Sequence, residues 1–323
     1  MNKTALNPNL EKLSVDFLYH LGLSNADNLK GMFGDTKHVA MMGSADRAYT
    51  FAQKLHEQLG DPIQYFGEMP KLEFGKLGKV MEYILNLLSV NMGYPVPIGK
   101  TERFSMYKVG DTISVSHGMG QPSHSILLHE VTKMLHYAGA TDFKYYRLGT
   151  SGGVGVEPGT VVVADKGLAP SGRAEYVIDV LGEPMSLETD FDLDLAQDIL
   201  AVRGNIEAVL GSTMSADDFY TVQARLDGAF CMITPEEKQN YLQKLYGLGA
   251  RNIEMEAAAF GAFCKKMGIP AACMCVALLN RLDGDQVTST PKQLGAFSDN
   301  PQQLLIQYIA STRKQQGAGQ KVA

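Results

Sequence analysis

The sequence predicts an α/β fold: a single domain with one mixed central sheet flanked by helices. Three observations predict it. Short apolar runs alternate with helical stripes along the 323 residues. The runs are broken by Gly, Pro, Ser and Thr where turns and caps belong. One pair of runs, Phe104–Val109 and Thr112–Ser116, is separated only by Gly110-Asp111 and reads as a hairpin. Helices alternating with strands imply a layered α/β chain, and the hairpin makes its sheet mixed.

The elements follow in order. Lys37–Gly43 reads as a strand. Ser44-Ala45-Asp46-Arg47 opens a helix whose face is Ala48, Phe51, Ala52, Leu55 and Leu59, ended by Gly60. After the hairpin, His117–Gly120 is a turn. Pro122 starts a helix with the stripe Ile126, Leu127, Val131, Met134, Leu135 and Ala138. Phe143–Leu148 is a strand, Gly149–Gly155 a glycine-rich turn and Thr160–Ala164 another strand. Ile206–Leu210 is a short strand. Thr234-Pro235-Glu236-Glu237 is a capping box with proline at the first helical position, opening a helix to about Leu245. Asn252–Met255 is a strand, Ala257–Lys266 a helix and Ile269–Leu279 a long apolar strand. A last helix runs from about Pro301 to Ser311, and the polar stretch 314–323 reads as a flexible tail.

Composition narrows the function classes. Apolar residues make up 45% of the chain and charged residues 20%, the balance of a soluble globular protein. The net charge of −6, from 29 basic and 35 acidic residues, argues against nucleic acid as a partner. An anionic substrate then needs a local cluster of cations. The four cysteines, Cys231, Cys264, Cys273 and Cys275, lie in apolar stretches without a C-x-x-C pair and read as buried free thiols in a reducing compartment. Met1–Lys12 shows no secretory signal, and no apolar run approaches the ~20 residues of a membrane span. A cytoplasmic location is expected. No histidine pair has metal-ligand spacing, so no metal is expected.

Several groups bear chemistry. The turn after Gly43 presents backbone N–H groups at a helix start, an anion site in the making. Arg47 in that helix's first turn opposes the macrodipole, a poor structural choice and a better ligand choice. Arg147 interrupts an apolar strand just before the glycine-rich run, with Thr150 beyond it. Gly149-Thr150-Ser151-Gly152-Gly153 matches G-x-S-x-G, but a strand rather than a helix follows, so a nucleophile elbow is rejected. A dinucleotide site is rejected because the run does not spell G-x-G-x-x-G. Glu254 and Glu256 project to one side of a strand end and suit a sugar diol, or else a helix start. Phe219, Tyr220, Gln223 and Arg225 suit a planar heterocycle: an aromatic face, a two-way amide and a donor fork.

These residues fall into recognisable motifs: D-F-L-Y-H at 16–20, G-S-A-D-R at 43–47, E-R-F-S-M-Y-K-V-G at 102–110 and S-V-S-H-G-M-G at 114–120. R-L-G-T-S-G-G at 147–153, D-F-Y-T-V-Q-A-R-L-D-G-A at 218–229, R-N-I-E-M-E at 251–256 and L-L-N-R at 278–281 complete the set. The chain thereby resembles nucleoside phosphorylases of the uridine phosphorylase type, in their eukaryotic branch, from about Asn7 to Thr312. The resemblance implies one nucleoside phosphorylase domain over 1–323 with a partly closed sheet. It implies reversible phosphorolysis of uridine to uracil and ribose 1-phosphate, with phosphate as co-substrate and no cofactor. Phosphate is expected on Gly43, Arg47, Arg147 and Thr150, with Arg103 donated by a partner subunit. Ribose is expected on Met255 and Glu256, with His20 of the neighbour at the 5′-hydroxyl. Uracil is expected near Phe219, with Gln223 and Arg225 on its polar edge and Leu278, Leu279 and Arg281 as walls. Arg225, Gln223, Glu256 and Arg147 are the expected catalytic groups, and a homodimer is implied.

Two features depart from the family pattern. Thr221-Val222 stands where the family usually carries Glu-Gly. The stretch from about 75 to 97, with a helical stripe at Met81, Ile84, Leu85 and Leu88, reads as an insertion. The rival readings are a purine nucleoside phosphorylase or nucleosidase of the same fold, and an inactive nucleoside-binding paralogue. Purine-specific relatives typically place an aspartate where Asn280 stands and lack the Q-x-R pair.

Overall fold

A computed structural model describes residues 6–67, 69 and 77–319. They form two compact units. One takes the chain up to Gly118 together with Ile126–Lys144; the other takes Met119–Ser125 and the chain from Tyr145 onward.

The first unit opens on a small antiparallel pair, β1 (Phe17–Leu18) and β2 (Leu23–Ser24), followed by α1 (Leu29–Phe33). Its sheet is β3 (His38–Met42), β4 (Ile63–Gln64), β5 (Met106–Val109) and β6 (Thr112–Ser116), in the order β3-β6-β5-β4. β3 and β6 are parallel, while β6–β5 and β5–β4 are antiparallel, so the expected hairpin is present. α2 (Ala45–Leu59) buries the face read from its sequence, Ala48, Phe51, Ala52 and Leu55, and the Ser44 hydroxyl caps its start. Removing Phe51 and Leu55 from water is worth up to about 1.5–3 kcal/mol each, and each alanine methyl about 0.8 kcal/mol. α3 (Leu77–Asn91) covers most of the expected insertion, of which residues 75 and 76 lie outside the described residues. The helix is present, but its stripe of Met81, Ile84, Leu85 and Leu88 is exposed and only Val80 is buried. α4 (Gln121–Ala138) buries Leu127, Leu128, Val131, Met134 and Leu135.

The second unit is built on β7 (Lys144–Gly153), β8 (Val161–Leu168), β11 (Ala208–Ser215), β12 (Ala250–Glu254) and β13 (Ala271–Asn280), with the hairpin β9 (Glu175–Val180) and β10 (Glu183–Glu188) as a separate pair. The order is β12-β11-β8-β13-β7, and β12 also pairs with β7 through Asn252↔Gly153 and Ile253↔Gly152. That pairing closes the sheet on itself, as the resemblance implied. α5 (Leu193–Ala201), α6 (Pro235–Gly247), α7 (Ala257–Met267) and α8 (Pro291–Gly319) complete the unit. The capping box of α6 forms as read: the Thr234 hydroxyl accepts from the Glu237 N–H, and Glu237 accepts from the Thr234 N–H.

Four expectations are corrected. The glycine-rich run 149–155 is no turn as far as Gly153; it stays in β7 because β12 and β13 both supply pairing partners. The last helix begins ten residues before Pro301. Thr290 and Gln293 cap its start reciprocally, and Pro301 lies inside it at the cost of one backbone hydrogen bond. The expected tail is helical from 314 to Gly319, and 320–323 lie outside the described residues. Cys264, Cys273 and Cys275 are buried free thiols, but Cys231 is exposed.

Candidate active site

In the first unit, β3 ends at Met42 and Gly43 leads into the α2 start. A Cβ on Gly43 would lie 2.9 Å from Arg47 Nη2 and 3.2 Å from the Gly118 carbonyl. The glycine therefore makes room for a guanidinium folded back over the helix N-terminus. Arg47 Nε donates to the Ser44 hydroxyl at 3.2 Å, which fixes that pose. A cation held at a helix N-terminus is a setting for an anion.

His20 and Arg103 meet on the same unit. The Phe104 ring is 6.2 Å from the His20 ring and 5.7 Å from Arg103 Cζ. Arg103 is exposed, and the His20 side chain is 40% exposed. The two residues expected to act across a subunit boundary are thus both accessible and both near the Phe104 ring.

The second unit assembles a buried charge cluster. Arg147 on β7 is 4% exposed, opposite Cys273 in the β13 register. Its Nη2 pairs with Glu254 Oε2 at 2.8 Å and with Glu256 Oε2, and its Nη1 donates to Cys275 Sγ at 2.8 Å. Among the described residues, Arg147 Nε has no hydrogen-bond partner, and it is buried. Burial opposes the Arg147 charge, yet Glu254, Cys275 and Glu256 hold its pKa well above the ordinary value. Burial raises the Glu254 pKa, with the Glu256 charge adding to it. For Glu256, burial is outweighed by Arg147 and the Gly120 N–H, and its pKa falls.

The two carboxylates play different parts. Glu254 accepts from Ser215 Oγ at 2.6 Å, from the Ala257 N–H at 2.8 Å and from the Glu256 N–H at 2.9 Å. It ties the strand end to the α7 start. Glu256 occupies the N-cap of α7 without capping it; its side chain turns instead to Arg147 and to the Gly120 N–H at 2.6 Å. Met255 lies half-buried between them, and Thr150 is half-buried on β7 beside Val276 of β13.

The Q-x-R loop is ordered by local chemistry. Asp218 Oδ1 accepts from the Thr221 N–H and from the Val222 N–H at 3.0 Å. Ala224 takes φ 53°, a left-handed conformation unusual for alanine. On either side of that twist Gln223 is buried, while Arg225 lies over Phe219 with Cζ 4.7 Å from the ring centroid. Phe219 meets Tyr220 edge to face at 5.1 Å. Arg225 grips Asp227 with two bonds, Nε to Oδ1 at 2.8 Å and Nη2 to Oδ2 at 2.5 Å, and also donates to the Asp285 carbonyl at 3.0 Å.

Arg281 is 1% exposed and braces this loop from below. Its Nη2 donates to the Gln223 carbonyl at 2.8 Å and its Nε to Asp285 Oδ1 at 2.9 Å. Asp285 also accepts from Lys238 Nζ at 2.8 Å and from the Leu226 N–H at 3.0 Å. Burial alone would raise the Asp285 pKa, but Lys238, the Leu226 N–H and Arg281 pull it below the ordinary range. Leu278 and Leu279 end β13 on the way to Arg281. The sequence reading missed Asp227, Asp285 and Lys238. Asp227 stood without a role inside the motif at 218–229, and Asp285 inside D-G-D-Q at 283–286, one residue beyond L-L-N-R; neither carries a spacing signal of its own. Among the described residues, no group of three or more His, Cys, Asp or Glu is placed to hold a metal, and no helix is long and apolar enough to cross a membrane.

A profile of the phosphorylase superfamily matches residues 65–310. The chain belongs to the phosphorylase superfamily. Within it, mouse uridine phosphorylase 1 is 37% identical over 307 residues, covering 94% of this chain and 90% of that one. A schistosome relative, inactive uridine phosphorylase B of Schistosoma mansoni, is 33% identical over 94% of this chain and 95% of its own. The crystal structure of Schistosoma mansoni uridine phosphorylase in complex with uracil superposes with a TM-score of 0.82 at 35% identity, covering 95% of this chain and 98% of that one. The family expected from the motifs is borne out, as is the partly closed mixed sheet flanked by helices.

Proposed function

We propose that this chain is a uridine phosphorylase, cleaving uridine with inorganic phosphate to uracil and ribose 1-phosphate. The observation that carries the reading is the Q-x-R loop, in which a buried amide, Gln223, lies two residues before Arg225, whose guanidinium stacks on Phe219. A pyrimidine presents adjacent carbonyl and imide groups that such a pair matches. Asn280 supports the base choice: its amide is spent on the Gly155 N–H at 3.1 Å and on Asp283 at 2.9 Å, where a purine-specific relative carries an acid.

In this reading Gly43, Arg47, Arg103, Arg147 and Thr150 serve phosphate. The buried, unpartnered Nε of Arg147 suits an anion, since an orphaned buried donor costs about 1–3 kcal/mol. Glu256, with Met255, fixes the ribose diol and orients C1′. Breaking the C1′–N1 bond builds positive charge on ribose and negative charge on uracil. Gln223 and Arg225 stabilise the departing anion, an interaction strongest in the transition state. Leu278, Leu279 and Arg281 wall the base. Phosphate attacks C1′ from the opposite face, with no cofactor or covalent enzyme intermediate. The enzyme acts as a cytoplasmic homodimer in pyrimidine salvage, each subunit lending His20 and Arg103 to its neighbour; the exposure of both side chains near Phe104 supports this.

Incubating the purified protein with uridine, with and without phosphate, tests the reading. Uracil is expected only with phosphate present. Turnover of inosine instead, or tight uridine binding without product, overturns it.

A further inference from the structure

One carboxylate holds the segment that carries His20. Glu130, on α4, is 7% exposed. Its Oε2 accepts from the backbone N–H of His20 at 2.9 Å and of Leu21 at 3.0 Å, and its Oε1 lies 2.6 Å from His20 Nδ1. A carboxylate accepting two backbone N–H groups is an acceptor, so Nδ1 must carry the ring hydrogen. In the neutral imidazole this leaves Nε2 as a lone-pair acceptor. The neighbouring charges are already matched: Lys133 pairs with Asp16 at 2.8 Å, and the Tyr137 hydroxyl donates to the same carboxylate. Thr101 Oγ1 donates to the His20 carbonyl at 2.5 Å, so the backbone is fixed on both sides of the ring.

We propose that Glu130 is a positioning residue that fixes the His20 tautomer, so that Nε2 accepts a hydrogen bond from a donor at the nucleoside 5′ position. The proposal rests on the reading above, in which His20 reaches the 5′-hydroxyl in the neighbouring subunit. Selectivity at the 5′ end then belongs to hydrogen-bond donors: a hydroxyl or an ammonium fits, and a group that only accepts does not.

Glu130→Gln separates the tautomer from the anchor. The amide oxygen keeps the two backbone N–H groups, while the NH2 faces Nδ1 and donates to it, leaving the hydrogen on Nε2. Long-range ¹⁵N–¹H spectra at about pH 8.5, above the usual imidazole range, should show His20 as the Nδ1–H tautomer in the parent and Nε2–H in the variant. At neutral pH, kcat/KM for 5′-amino-5′-deoxyuridine relative to uridine should fall by about 10-fold or more in Glu130→Gln, the scale of a hydrogen bond to a charged group. Thr101→Val, which loosens only the backbone, should leave that ratio unchanged. An equal fall for both substrates, or a shifted ratio in Thr101→Val, overturns the proposal. If Glu130→Gln does not fold, the parent spectrum decides: an Nε2–H tautomer there overturns it. A parent that releases no uracil from uridine defeats the functional reading, while the spectra still decide the tautomer.

Discussion

Arg147 and Arg225 lie in the same unit and carry the same charged group in opposite settings. Arg147 is enclosed between strands and answered by two buried carboxylates and a thiol. Arg225 sits in a loop, stacked on an aromatic face and gripped by an aspartate that is partly exposed. The first charge is fixed by the fold, so its loss reaches the fold. The second is fixed by a loop, so its loss reaches the reaction and little else.

Removing Arg147 tests the larger half of this contrast. Arg147→Met strands Glu254 and Glu256 without their counter-charge, and breaking a buried pair costs about 3–5 kcal/mol. Denaturant unfolding should show that loss together with abolished uracil release; a variant as stable as the parent would dissolve the distinction. Arg225→Ala should lower kcat/KM for uridine by ~10- to 1000-fold, the range for an anion-stabilising donor. Its unfolding midpoint should stay near the parent's, and a stability loss matching that of Arg147→Met would place both arginines in one class.

Acid sharpens the comparison further. Burial would raise the Glu256 pKa, but Arg147 and the Gly120 N–H bring it below the ordinary value of 4.5. Its contribution to stability is therefore present above that value and lost as pH falls through the lower, folded one. Stability measured down the acid limb should drop more steeply in the parent than in Glu256→Gln; parallel curves would show that Glu256 gains nothing from folding. The smallest effect belongs to the loop. Ala224→Gly relieves a left-handed alanine and should stabilise by about 0.5–1 kcal/mol with kcat/KM for uridine little changed. A destabilised variant would mean that the Ala224 methyl packs more usefully than its backbone is strained.

What could be read from the sequence follows from how local each determinant is. α2 was legible because its cap and apolar face lie within one stretch of chain. α8 was legible only from Pro301 onward, because proline reads locally as a helix start, whereas the reciprocal Thr290–Gln293 cap begins the helix ten residues earlier. The run after Arg147 was misread because glycine signals a turn locally, whereas two distant strands make it a strand. The helix of α3 was legible from its stripe, but periodicity cannot tell which way an apolar face points. Within the site, Glu254 and Glu256 were found by alternation along a strand and both reach Arg147. The roles of Glu130, Asp227 and Asp285 were not legible, since a carboxylate's partners are set by the tertiary fold and leave no spacing behind.

The glycines of β7 carry a lesson for anyone building chimaeras. A methyl at Gly149 would run into Cys275 Sγ at 2.7 Å as well as Arg147, and one at Gly152 would strike Arg281 Cγ at 2.8 Å. β7 and the segment from β13 to Arg281 are cut to each other's outline, so they must be exchanged between relatives as one cassette. A graft that moves either strand alone would wedge the host's side chains into space its guanidinium groups already occupy.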